Sequence, residues 1–316
     1  MNRWAPLLMM LAGVSVYTGA ALAIGLFNVA PPSLVAWLRI ATAAVLMVII
    51  LRPHPRYWLG RSGATACLFG IATLAMNLTF YEAIARIPLG TAVAIEFFGP
   101  VAVAAIGATG FRRRIAPIIA FIGVVIISGA TWATSHTGVL LACLTAFFWA
   151  CYVILGAKVS ASAKVGLPVA MSWAAILFLP LAIWWWPADI SPVLDVYPGF
   201  IAAFPQLAHP WLLLIGMAFC LGILSAIIPY TSDQIILKMA GPAAFSLLLA
   251  LSPVMAAIMD TILFHHIPSI WEFLGIALVV FAVALGSDFT PRRPRTPKTT
   301  RRTRRTPKTT RCKQLQ

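Results

Sequence analysis

Residues 69–106 read FGIATLAMNLTFYEAIARIPLGTAVAIEFFGPVAVAAI. Two apolar runs flank a short connection around Glu82–Pro88, and neither run alternates. A continuous stretch of about 20 apolar residues crosses a bilayer as a helix, whereas a membrane strand alternates. A related stretch occupies residues 221–259, LGILSAIIPYTSDQIILKMAGPAAFSLLLALSPVMAAIM. Gly70 aligns with Gly222 and Pro100 with Pro253, each proline followed by Val and an alanine-rich run.

Working outward from this pair, apolar runs predict spans at 5–27, 33–51, 62–81, 89–110, 115–132, 137–157, 166–187, 210–231, 242–264 and 269–288. The chain has 316 residues, 61% of them hydrophobic and 10% charged, with mean hydropathy +0.94. A soluble domain carries about 25% charged residues. The fold class is therefore an all-α polytopic membrane protein of ten transmembrane helices. The first run lacks a small-residue cleavage site and reads as a span, not a signal peptide. Five spans per half is an odd number, so the halves 1–133 and 137–288 point opposite ways across the membrane. Two inverted five-helix repeats are a common construction of alternating-access carriers.

Short loops rich in Lys and Arg stay in the cytoplasm. Arg3, then Arg52, Arg56 and Arg61, then Arg112–Arg114, Lys158 and Lys164, and Lys238 fall on one side of the ten spans. The other side has only Arg86. Nine or eleven spans would break that alternation, so both termini are expected in the cytoplasm, with the chain in a bacterial inner membrane. The net charge of +15 is concentrated at one end: residues 289–316 hold eleven Lys and Arg and no acid, and the rest nets +4. This low-complexity segment is expected to be a disordered basic tail, able to lean on anionic lipid. No zinc spacing, basic recognition helix or separate globular unit accompanies it, so nucleic acid is not an expected partner.

Ionisable groups within spans are costly and mark pathways or partners. Glu96 lies one turn before Pro100, in the fourth span. A carboxyl there suits proton coupling, or pairing with Arg39, which stands two turns into the second span without a neighbouring charge. The planar fork of Arg39 also suits a substrate carboxylate, and snorkelling is its bland alternative. Asn77 and Tyr81, four apart on one helix face, offer hydrogen bonds to a zwitterion. Trp149 and Tyr152 lie too deep for an interfacial belt and read as cavity wall or ordinary packing. Trp184, Trp185 and Trp186 read as belt. Tyr230 and Asp233 follow Pro229 at the end of the eighth span. Asp260 lies toward the outer end of the ninth, near His265 and His266. Those adjacent histidines face different directions, which disfavours a metal. Glu82 and Arg86 read as a solvated helix-end pair. Pro100 cannot donate to the carbonyl of Glu96, nor Pro253 to that of Leu249.

No phosphate-binding glycine loop, HExxH or catalytic triad is present. The five cysteines form no CxxC pair, and four lie in apolar segments as small buried hydrophobes. The expectation is a protein that is not an enzyme and uses no cofactor or metal.

The stretch YEAIARIPLGTAVAIEFFGPVAVA (81–104), with AFFWACYVILGAKV (146–159) and IPYTSDQIILKMAGPAAFSLLLALSPVMAAI (228–258), resembles the EamA-type drug/metabolite transporter family. Within it the chain is most similar to the threonine and homoserine exporter (RhtA-type) subfamily. The resemblance covers roughly residues 5–288. It implies ten helices in two inverted repeats, export of small metabolites by proton exchange, and a central cavity between the halves. It puts Glu96 at the acid of the fourth-span motif and Arg39 at the arginine of WLRIA. Trp149 and Tyr152 take the sixth-span aromatics, and Tyr230 and Asp233 the IPY motif and its following acid. The chain departs from the subfamily pattern at Ser252, where an acid is expected, and at His265 and His266, in place of Gly-Glu. Asp233 is shorter than the expected glutamate, and Asp260 is extra.

The expected substrate-binding residues are Arg39, Asn77, Tyr81, Trp149, Tyr152 and Tyr230. The expected proton-coupling residues are Glu96, Asp233 and Asp260. The expected partners are a small amino acid such as threonine or homoserine, protons and membrane lipid. Export of other metabolites or drugs is the alternative. A lipid-modifying membrane enzyme or a non-transporting scaffold would leave the repeat and the intramembrane charges unexplained.

Overall fold

The computed structural model describes residues 4–105, 111–132, 135–159, 163–196, 198, 201, 209–229, 231–232, 235–236, 248–249 and 251–286. Among these, the regular structure is helical throughout, with no strand. Helix α1 is Trp4–Leu26, α2 Pro32–Leu51 and α3 Gly60–Ile84. A short helix, α4 (Leu89–Glu96), is followed by α5 (Phe98–Ala105), then α6 (Phe111–Trp132) and α7 (His136–Val159). Next come α8 (Ala163–Leu177), α9 (Leu179–Trp184), α10 (Val193–Val196) and α11 (Pro210–Gly222). A π-helical turn, Ile223–Ile227, continues α11. Helices α12 (Ser252–Phe264) and α13 (Ile270–Gly286) complete the described chain.

Among the described residues, five helices are long and apolar enough to cross a membrane: Pro6–Leu26, Pro32–Leu51, Gly60–Ile84, His136–Gly156 and Pro210–Ile227. Five shorter apolar helices lie at the positions of the other expected spans. Large apolar side chains such as Ile50, Trp184 and Phe273 point outward, the arrangement of a protein whose solvent on that face is lipid.

Proline placement explains the helix ends and breaks. Pro32 and Pro210 sit in the first turns of α2 and α11, where the missing N–H costs nothing. The expected fourth span is not continuous. It breaks at Phe97, because Pro100 leaves the carbonyl of Glu96 without its helical donor. The seventh breaks likewise at Phe178, just before Pro180. Ser269 and Glu272 form a reciprocal N-terminal cap on α13: Ser269 Oγ accepts from the N–H of Glu272, and Glu272 Oε2 accepts from that of Ser269. In the polar loop after α9, Ser191 donates from its hydroxyl and its N–H to Asp189, which holds this exposed carboxyl below the usual range.

Small residues let the helices touch at backbone distance. A methyl on Gly70 would overlap the carbonyl of Ala170 in α8, and one on Gly99 the carbonyl of Ala146 in α7. Helix α3 packs on α7 and α8, while α1 and α2 pack on α11 and its π turn. Helices α2 and α8, α4 and α12, and α6 and α13 also pair. The largest core cluster joins Leu26 of α1, Leu89 and Val93 of α4, and Ala256 of α12.

Candidate functional site

A cavity of about 190 Å³ lies among α1, α2, α3, α4, α7, the π turn and the start of α12. Along α1 it runs from Met9 to Ala20. At 1.5 Å per residue, that length is roughly 16 Å. The volume is below the roughly 300–1,000 Å³ of a pocket for a drug-sized ligand. Its wall is mostly apolar, with a few polar groups: Tyr17, Arg39, Asn77, Tyr81, Glu96, Ser225 and Ser252.

Arg39 is held from two sides. One terminal nitrogen donates to Asn77 Oδ1 and the other to the carbonyl of Ser225. Asn77 is turned for this by its own helix, since its amide N–H donates to the carbonyl of Thr73 one turn earlier, at 2.7 Å. Ser225 offers its carbonyl because Pro229, four residues on, has no N–H to give it. The π turn opens the backbone there further. The neighbouring Leu224 carbonyl accepts from Ser15 Oγ at 2.7 Å, and that of Ala218 from Thr42 Oγ1 at 2.9 Å.

Among the described residues, two buried donors at this site stay unused: Arg39 Nε meets no partner there, and the hydroxyl of Tyr81, beside Arg39 and Ser225, completes no hydrogen bond of ordinary geometry. The guanidinium also lies over the Tyr81 ring, 5.8 Å from its centre. Glu96 lines the same cavity. No hydrogen bond reaches its carboxyl among the described residues, and it makes no direct ion pair with Arg39, although it feels that charge. The alternative of a direct Arg39–Glu96 pair is thus not realised: the two stand as separate groups of opposite charge in one cavity, with the terminal nitrogens of the guanidinium on Asn77 and Ser225.

Residues 136–287 match the EamA-like transporter family. This half of the chain belongs to the family. It is 28% identical to the threonine/homoserine exporter RhtA of Salmonella typhimurium (strain SL1344), over 92% of this chain and 93% of that one. It is 26% identical to the threonine/homoserine exporter RhtA of Escherichia coli (strain K12), over 93% and 94%. A crystal structure covers 90% of this chain and 98% of its own with a TM-score of 0.54. Its 18% identity speaks for the fold alone. The EamA match, together with these similarities over nine-tenths of the chain, fits a multi-pass membrane transporter of small molecules rather than an enzyme, with membrane lipid as its surroundings.

In this chain the remaining expected residues fall in three places. Trp149 lines the cavity and meets Phe97 edge to face, with centroids 4.7 Å apart. Tyr152 instead packs on Phe69, with centroids 4.7 Å apart, in a satellite core away from the cavity wall. Asp260 also stands off the cavity: its Oδ1 accepts from the N–H of Leu89 at 3.3 Å, capping α4, and its Oδ2 is 3.1 Å from Nδ1 of His266. His265 ends α12 in a left-handed conformation, and no metal-competent cluster occurs among the described residues. Tyr230, Asp233 and the basic tail lie outside the described residues. Glu82 pairs with Arg86 at 2.6 Å as expected, and additionally accepts from the N–H and hydroxyl of Ser33, tying α2 to α3.

Sequence reasoning passed over Tyr17, whose hydroxyl donates to the carbonyl of Ser252 at 3.0 Å across the cavity. It also passed over Ser225. A serine four residues before an intraspan proline is a legible signal, because its carbonyl must find another donor.

Proposed function

We propose that this chain is a secondary exporter of small amino acids such as threonine and homoserine, working by alternating access and proton antiport. The observation that carries the reading is a small cavity in which, among the described residues, a guanidinium with an unused donor and a carboxyl that accepts no hydrogen bond face the same space. Arg39 and Tyr81 offer donors to a carboxylate, and Glu96 offers a negative group to an ammonium. Such a pairing suits a zwitterion better than a hydrophobic cation. The small volume argues in the same direction, against drug-sized cargo. The names borne by the similar Salmonella and Escherichia proteins add to it.

In this reading, Glu96 takes a proton from outside and releases it inside, alternating with substrate. Arg39, Asn77, Tyr81, Trp149 and Tyr230 bind the substrate, and Asp233 joins Glu96 in proton handling. Asp260 and Tyr152 act at a distance from the substrate.

The proposed architecture is ten spans in two inverted repeats, 1–133 and 137–288, with both termini cytoplasmic and a basic tail at 289–316. The helix pairing supports it. Under a two-fold exchange of halves, α3 against α7 and α8 becomes α11 against α1 and α2, while α2–α8, α4–α12 and α6–α13 map onto themselves. The family match over residues 136–287 alone fits a unit of half this chain.

Counterflow in proteoliposomes tests the function. Labelled threonine or homoserine should exchange saturably and be competed by close analogues. Exchange confined to purines or cationic drugs would discard the amino-acid reading while keeping the carrier.

A further inference from the structure

At one end of the cavity a second polar cluster lies where lipid-embedded helices would otherwise be dry. The first turn of α4 is gripped by both α12 and α13. The carboxylate of Asp260, in α12, faces the N–H groups of Leu89 and Gly90. The hydroxyl of Thr91 donates to Glu272 Oε1, in α13, at 2.9 Å. A methyl on Gly90 would stand 2.8 Å from the Cα of Ala257, so α4 and α12 touch at backbone distance between the two polar contacts. Thr91, Asp260 and Glu272 are all buried. Two carboxylates near the start of α4 complement its dipole, and Asp260 takes up N–H donors that the helix itself cannot use.

The placement gives the cluster its meaning. Glu96 ends the same helix, seven residues after Leu89, or roughly 10 Å along its axis. The cavity follows α1 only as far as Ala20, and beyond it Ala23 and Leu26 are fully packed in the core that contains Leu89 and Val93. The grip therefore closes the end of the cavity nearest the Arg86 loop. Its partners come from opposite halves of the chain, α4 from the first and α12 and α13 from the second.

Building on the transport reading and its orientation, we infer that Asp260 and Glu272 are positioning residues forming the outer gate, which must release α4 for the cavity to open outward. Glu272 is fixed in place by its own helix cap, since the Ser269 N–H donates to its other oxygen at 2.8 Å and leaves Oε1 for Thr91. The gate is a set of hydrogen bonds and one close backbone contact, strong enough to exclude water yet separable without breaking a helix.

The test is the accessibility of a cavity position from each side. Ser252→Cys is introduced into the full chain with its five native cysteines replaced by serine. A membrane-impermeant maleimide is applied to whole cells and to inside-out vesicles. Glu272→Ala and Thr91→Val should raise labelling from outside several-fold and lower it from inside, whereas Thr91→Ser, which keeps the hydroxyl, should match the parent. An unchanged outside rate in monodisperse Thr91→Val protein overturns the gate, even if Glu272→Ala fails to fold. Labelling needs no substrate, so its failure is separable from a failure of counterflow.

Discussion

The Arg39 guanidinium donates to the carbonyl of Ser225, the backbone acceptor that Pro229 cannot serve in an α-helix. A side chain from the second expected span thereby completes the eighth. Arg39 is both part of the cavity wall and part of the scaffold that shapes it.

Arg39→Lys should fold but transport poorly. A lysine keeps the charge but lacks the planar fork that reaches Asn77 and Ser225 together. Each lost charged hydrogen bond costs about 1.5–3 kcal/mol of stability, and the misplaced ammonium should raise KM several-fold. Counterflow across a concentration series measures this, with thermal unfolding in detergent as the folding control.

Glu96→Gln should separate exchange from coupling. The amide is nearly isosteric and takes up no proton. Substrate-for-substrate exchange should persist at a raised KM, because the amide no longer offers a charge to the ammonium, while accumulation driven by a pH gradient should disappear. Retained pH-driven accumulation would remove Glu96 from proton coupling.

Trp149 and Tyr152 are three residues apart yet should behave differently. Trp149→Ala opens the cavity wall and should change KM several-fold. Tyr152→Leu removes a ring contact with Phe69 worth about 0.5–1.5 kcal/mol and should lower the melting temperature while leaving KM unchanged. Parallel kinetics and thermal melts separate the two roles.

Glycines should divide by what lies above them. Gly70→Ala drives a methyl into the Ala170 carbonyl and should cost about 1–3 kcal/mol as overpacking. Gly13→Ala meets Met255 at 3.6 Å, an ordinary contact, and should fold normally. Melting temperatures of the two variants provide the comparison.

Much of the fold was legible in the sequence because the signals that create spans are local. An apolar run commits its own backbone to a helix in lipid, so α1, α2, α3, α7 and α11 with its π turn fall close to their expected positions. Pro100 announced a freed Glu96 carbonyl, and the chain breaks there. The site was legible only in part. Arg39, Asn77, Tyr81, Glu96 and Trp149, singled out because polar and aromatic groups inside apolar runs need a reason, line the cavity. Tyr152 and Asp260 met the same criterion and turned elsewhere.

By itself, then, the sequence determined where the membrane-crossing helices run, where prolines break them, and which few polar groups they carry inward. The tertiary structure alone decided which groups meet. Hydropathy and a missing N–H act within a turn or two of the chain. Whether Arg39 reaches Glu96 or Ser225, 186 residues away, depends on how helices from both halves pack and on which acceptor stands nearest once they have. Asp260 likewise became a cap on α4 because Gly90 lets α12 approach closely enough for its carboxylate to reach the first turn.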